Sequence, residues 1–301
     1  MPAGAEGIEP PNGPDDPAAD PLAYTRVGPA APASPVVLSV PHAGRDYAPE
    51  LLRASRLDQR QLESLEDRYV DRLIWRALGT GAVAIVARRP RAEIDLNRDE
   101  REIDTAIVSP PLPAGALVQS ARTRGGLGLI PARITGAGGI WRHRIDGTEV
   151  MRRIAQIHQP YHGALAHALD QAHRRFGIAI LLDCHSMPPR KDAPGQADVV
   201  FGDLHGTAIA PELLEAAVAA AKRAGFKTAS NIPYAGGYIT SRHGRPAAGV
   251  HALQIEIDRS LYLGDDMREP GDGFERTAHL LEDVAAALAA RAIEPQAIAA
   301  E

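Results

Sequence analysis

Residues 178–182, Ile-Ala-Ile-Leu-Leu, contain no polar side-chain atom, and the run breaks off on Asp183, Cys184, His185 and Ser186, with two prolines following Met187. Such a stretch is a buried strand. The segments around it alternate in character. Residues 36–40 (VVLSV), 81–89 (GAVAIVARR), 197–202 (ADVVFG) and 251–258 (HALQIEID) have the composition of strands, and residues 62–79, 148–177, 210–225 and 273–292 have the spacing of helices. The 148–177 segment is expected to bend at Pro160. Strands alternating with helices predict an α/β fold: a mixed, largely parallel central sheet with helices on both faces. Ligands bind such sheets beyond the carboxyl ends of the strands. Asp183 and His185 stand there, in a place for chemistry rather than packing.

Composition narrows the function. The formal net charge of −5 argues against general nucleic-acid binding. The single cysteine, Cys184, cannot form an intramolecular disulfide, and alternation turns it away from Asp183 and His185 as a small core residue. No apolar run reaches the ~18–20 residues of a membrane helix, and the first twenty residues lack the blocks of a signal peptide. A cytoplasmic location is expected, with no membrane partner. Nine of the 25 prolines fall in residues 1–35. A disordered tail over 1–22 is therefore expected, followed by one catalytic domain over 23–301.

Four polar clusters follow or end predicted strands: residues 39–44, 93–102, 181–186 and 253–260. His42 and His185, on two different strand ends, suggest a metal. Two neutral imidazoles and one carboxylate form a common catalytic zinc set that leaves a position for water. Glu66, Asp67 or Asp71 could supply the carboxylate from the 62–79 helix; Asp67 shares a face with Val70 and Ile74, but spacing does not choose among the three. Gln254, Glu256 and Asp258 lie on one face of a period-two strand. An acid there is either a general base or half of an ion pair, for instance with Arg259. Asn97 and Arg98 offer an amide and a planar guanidinium to a carboxylate. The HQPYH segment (158–162) imitates a zinc-binding helix, but Gln159 cannot be a base and Pro160 disturbs the helix, so no metal is expected there. The glycine-rich stretch 125–139 reads as a loop over the site.

The blocks VPHAGRDY, EDRYVDRL, RAEIDLNRDERE, LLDCHSMPP, DVVFGDLHGT, NIPYAGGYITSRHG and ALQIEIDRSLYL, in this order between about 36 and 265, resemble the N-formylglutamate amidohydrolase family. The resemblance implies a fold like that of zinc carboxypeptidases and aspartoacylase. It implies His42, Asp67 (in preference to Glu66) and His185 as zinc ligands, although another divalent metal would fit the same set. Arg45 occupies the position close after the first histidine where the wider group places its acidic ligand. Asn97, Arg98 and, in GGYITSRHG, Arg242 are implied as contacts to a substrate carboxylate, and Glu256 as general base. The implied reaction is zinc-assisted hydrolysis of N-formyl-L-glutamate to formate and glutamate, a step of bacterial histidine breakdown. The alternatives are another metal-dependent amidase or carboxypeptidase, or a non-catalytic protein that binds acidic ligands. The oligomeric state leaves no trace in the sequence.

Overall fold

A computed structural model describes residues 23–110, 117–189 and 196–294. The expected tail over 1–22 lies outside the described residues. Among the described residues nine strands are found in chain order: β1 Tyr24–Val27, β2 Val36–Val40, β3 Val83–Ala87, β4 Arg133–Ile134, β5 Gly138–Gly139, β6 Ala179–Met187, β7 Val199–Gly202, β8 Thr228–Ser230 and β9 Val250–Asp258. Seven of them form one sheet in the order β1-β3-β2-β6-β9-β7-β8, and β4 pairs with β5 as a separate short ribbon. β3, β2, β6 and β9 run parallel, β1 pairs antiparallel with β3, β7 pairs antiparallel with β9, and β8 runs parallel to β7. The mixed, largely parallel sheet is as expected. The edge strands β1 and β8 go beyond the expected elements, both short and only partly buried.

Period-two alternation sorts the central strands onto two cores. Val36, Leu38, Val40, Ile180, Leu182, Cys184, Leu253, Ile255 and Ile257 face the helices Pro211–Arg223 and Phe274–Ile293. Val37, Ala179, Leu181 and Ala252 face the helix Gln159–Phe176. On this second face alone the pattern turns polar part-way along each strand, from Val37 to Ser39, from Leu181 to Asp183 and His185, and from Ala252 to Gln254 and Glu256. Over the same stretch Val40, Leu182, Cys184, Ile255 and Ile257 stay apolar on the opposite face. One side of the sheet is thereby fixed by burial worth about 1.5–3 kcal/mol per large aliphatic side chain, and the other side is free to carry a site.

Two helical expectations are corrected. Residues 62–79 do not form one helix. Gln59–Leu62 ends in a 3-10 turn, Glu66 is extended at ψ 147°, and Tyr69 is left-handed at φ 62° before Val70–Leu73 resumes. Such a conformation costs a non-glycine residue about 1–3 kcal/mol. Tyr69 is held in it by the guanidiniums of Arg45, Arg68 and Arg72, 4.7–5.1 Å from its ring, and by its hydroxyl, which donates to Glu269 at 3.0 Å. The break, and not a helix face, turns Asp67 inward. The expected bend at Pro160 is a π-turn over Ile154–His158, with Gln159 N–H donating five residues back to Ile154 O. The wider turn precedes a proline that has no N–H to give and whose ring would crowd a regular helix.

Candidate active site

The polar face ends in a cavity of about 560 Å³ lined by His42, Asp67, Asn97, Arg98, His185 and Glu256 among others. Six of the seven expected site residues are thus brought together from five segments. His42 follows β2, and Asp67 hangs from the helix break, its N–H donating to His42 O at 2.9 Å. Residues 93–98, expected beside a strand, form turns. His185 and Glu256 are register partners on β6 and β9.

The two histidines are oriented from behind. His42 Nε2 donates to Asp95 Oδ1 at 2.7 Å, and His185 Nε2 donates to Asp183 Oδ2 at 2.8 Å. Both Nδ1 atoms are therefore turned inward, 3.2 Å apart, and Asp67 Oδ2 lies 3.3 Å from the first and 3.0 Å from the second. Three buried donor atoms converge on one point with their other sides already committed. This is the geometry of a metal site with carboxylate-oriented imidazoles, and it meets the test for a divalent cation. Without positive charge between them, two inward lone pairs and a carboxylate would repel one another.

The electrostatics agree. Burial disfavours the imidazolium of His185, but Asp183, Asp67 and Glu256 outweigh it and hold the ring well above the usual histidine value. Burial would raise Asp67, yet the two imidazoles hold it well below the carboxylate range. Asp95 is held low against its burial by Arg91, Arg98 and His42. Burial pushes Glu256 up to about 7 against the pull of His185; its Oε1 accepts from Gln254 Nε2 at 2.8 Å.

The rival acids have other partners. Glu66 accepts from Tyr47 Oη and pairs with Arg68, and Asp71 is held bidentate by Arg45. Arg259 pairs with Asp67 Oδ1 at 3.0 Å and donates to Ser186 Oγ, rather than holding Glu256 or Asp258 as the alternative reading had it. Arg242 is placed apart from the other expected residues. It is exposed on the helix Tyr238–His243, donates to Tyr238 Oη and is not part of the cavity wall. The side of the helix that meets the site is its start: Ile239 N–H donates to Asn97 Oδ1 at 2.9 Å. A Cβ at Gly237 would stand 2.3 Å from the Asn97 amide, so only glycine permits that approach.

Three outer supports stand behind the site; Asp183 is where its strand end places it, and Asp95 and Ser39 go beyond the expected residues. Asp95 and Asp183 are the acids behind the imidazoles; Asp183 carries a usable signal, lying two residues before His185 on the same strand face. Ser39 Oγ donates to Asp183 Oδ1 at 2.7 Å and, with its proton so committed, accepts from Tyr161 Oη at 2.9 Å. The HQPYH histidines have a structural role. His158 Nε2 donates to Arg98 O at 2.9 Å and His162 Nε2 to Leu96 O at 3.0 Å, so they brace the backbone on either side of Asn97.

A His-Asp-His cluster fit to hold a metal ion at the carboxyl edge of a mixed α/β sheet, with a buried acid beside it, defines the class. The comparisons give the family. A family model described as N-formylglutamate amidohydrolase matches residues 34–263. An N-formylglutamate deformylase from Pseudomonas putida is 30% identical over 76% of this chain and 82% of that protein. The crystal structure of N-formylglutamate amidohydrolase from Ralstonia eutropha JMP134 superimposes with a TM-score of 0.81 at 33% identity, covering 90% of this chain and 97% of that one. A gene product of Agrobacterium tumefaciens shares the fold, with a TM-score of 0.62 at 17% identity over 89% and 95% of the two chains. The chain belongs to the N-formylglutamate amidohydrolase family.

Proposed function

We propose that this protein hydrolyses N-formyl-L-glutamate, or a closely similar N-acyl amino acid, to the free acid and the amino acid, with a divalent cation, zinc in the first instance, held by His42, Asp67 and His185. The observation that carries the reading is the convergence of the two Nδ1 atoms and Asp67 Oδ2 beside a buried Glu256. A cation there supplies Lewis acidity, lowering the pKa of water towards ~7 and polarising the amide carbonyl.

The protein's own groups do the rest. Glu256 takes the proton of the attacking water and returns it to the leaving nitrogen, a role suited to a carboxyl whose burial lifts it to about 7 and which a neighbouring cation then draws down. Arg98 orients a substrate carboxylate; Arg98 Nε donates to Leu127 O at 2.8 Å and Nη1 to Asn97 O, which locks the fork in place. Asn97, fixed by Ile239 N–H, offers its amide nitrogen beside it. The tetrahedral oxyanion is met by a wall rich in guanidinium groups. No serine or cysteine nucleophile is required, and Cys184 is buried on the far face of the sheet. A cytoplasmic location and a place in histidine breakdown belong to the same reading; no helix among the described residues is long and apolar enough to cross a membrane.

Formate release from N-formyl-L-glutamate by the zinc-loaded wild type tests the reading. Glu256→Gln is expected to lower kcat by about 10²–10⁴ while leaving the bound metal in place. Equal rates in the two proteins would refute the base, and no formate from the wild type would refute the reaction.

A further inference from the structure

N-formyl-L-glutamate carries two carboxylates, and Arg98 accounts for one. Five arginines line the cavity; two of them are paired with buried acids, and a third, Arg98, is the one already assigned and is held in place by the backbone. Arg91 pairs with Asp95 at 2.9 Å, Arg259 with Asp67 at 3.0 Å, and Arg98 is held by two carbonyl oxygens with Asp95 at 3.6 Å. Arg122 and Arg133 line the same space with no acid at ion-pair distance among the described residues.

The segment that carries both is built against the Asn97–Arg98 wall. Arg98 donates to Leu127 O, and Asp95 N–H donates to Leu129 O at 2.7 Å. Ser120 caps the turn Ala121–Arg124 through Thr123 N–H at 3.1 Å. At Gly126, φ 81°, a Cβ would stand 2.3 Å from Arg133 Cγ, so the aliphatic stem of Arg133 lies directly across that glycine. These contacts place Arg122 and Arg133, both exposed, on the rim of a cavity whose wall already holds Arg98.

We propose that Arg122 and Arg133 form the subsite for the second carboxylate of the acyl amino acid, so that this segment selects dianionic over monoanionic substrates. The inference rests on the proposed function and names its specificity residues; it puts that role on the 120–134 segment and not on Arg242. Like charge is part of the argument. Arg98 is drawn below the usual arginine range by burial, with Arg91 and Arg122 adding to the effect against the pull of Asp95. An anion entering between the cations relieves that repulsion. Planar forks suit a carboxylate, and each charge-assisted pair is worth about tenfold to a hundredfold in affinity.

The test compares N-formyl-L-glutamate with N-formyl-L-glutamine, which has the same shape and one charge fewer, in zinc-loaded wild type, Arg122→Ala, Arg133→Ala and the double variant. The preference for the glutamate compound in kcat/KM is expected to fall by about tenfold or more in the double variant, through KM, with Arg133→Lys keeping part of it. An undiminished preference, or equal losses on both substrates, would overturn the proposal. Calorimetric binding of L-glutamate and L-glutamine to the same proteins reads the subsite without turnover. A wild type that binds the two alike overturns the subsite, and one that prefers glutamate yet releases no formate overturns only the reaction.

Discussion

Two pairs of histidines lie within one molecule in much the same contact. The ring centroids of His42 and His185 are 4.8 Å apart, and those of His158 and His162 are 4.4 Å apart. The difference is in what the far nitrogen meets. In the first pair each Nε2 donates to a buried carboxylate, which makes the opposite nitrogen a better electron donor and tolerates positive charge. In the second pair each Nε2 donates to a backbone carbonyl, which fixes the tautomer but supplies no charge. The inward atoms differ accordingly. The Nδ1 atoms of the first pair converge with Asp67, whereas His162 Nδ1 accepts from His243 Nε2 at 3.0 Å and His158 Nδ1 has no partner among the described residues. Burial, with no acid in contact, holds His158 and His162 below the usual histidine value and His243 at about 4. Proximity of imidazoles does not make a metal site; anionic support behind them does.

The contrast can be broken most sharply by deletion. His185→Ala is expected to lose its stoichiometric metal and to lower formate release by about a thousandfold or more, while His162→Asn keeps the metal, as read by metal analysis of the purified proteins. If both variants lose the ion equally, the distinction between ligand and brace fails. A smaller effect separates the outer acids: Asp183→Asn and Asp95→Asn should each weaken metal affinity by about 10–100-fold in a competitive chelator titration, with the fold intact by circular dichroism. The smallest effect is on stability. An unfolded histidine titrates near ~6.5, and folded His243 near 4. The unfolded chain therefore binds the proton first as pH falls. The contribution of a neutral His243 is complete above pH ~6.5 and is lost on descent towards 4, amounting to about 3 kcal/mol at most. Urea unfolding of the wild type should weaken across that window, and His243→Gln should flatten the slope; an unaltered slope would remove His243 from the account.

Much of the site was legible because a buried run that ends in a polar side chain has few explanations. His185 and Glu256 each stand on a face where the same strand is apolar four residues earlier, at Leu181 and Ala252, and His42 stands just beyond a strand's end. The fold was legible for the same reason: uninterrupted aliphatic segments between amphipathic ones leave little but a covered sheet. Other features could not be read that way. The apolar spacing of 62–79 is satisfied by two short helices packed on one core, so periodicity does not register the left-handed Tyr69 that aims Asp67. The four residues of β1 and the three of β8 are too short and too exposed to show a pattern. Arg122 and Arg133 differ from solvated loop arginines only in where the chain takes them, and Arg242, three residues beyond a start that does touch Asn97, differs in the opposite sense.

The hydroxyl of Tyr161, buried in the helix beneath the sheet, ends a chain of contacts through Ser39 and Asp183 to His185. That continuity would make a cation bound at the site a rivet as well as a reagent, clamping β2 and β6 at the point where the crossing helix leans on both. Extracting it should loosen the middle of the molecule before the rim, and a change as slight as one phenolic oxygen deep in the core becomes a way of tuning how firmly the ion is kept.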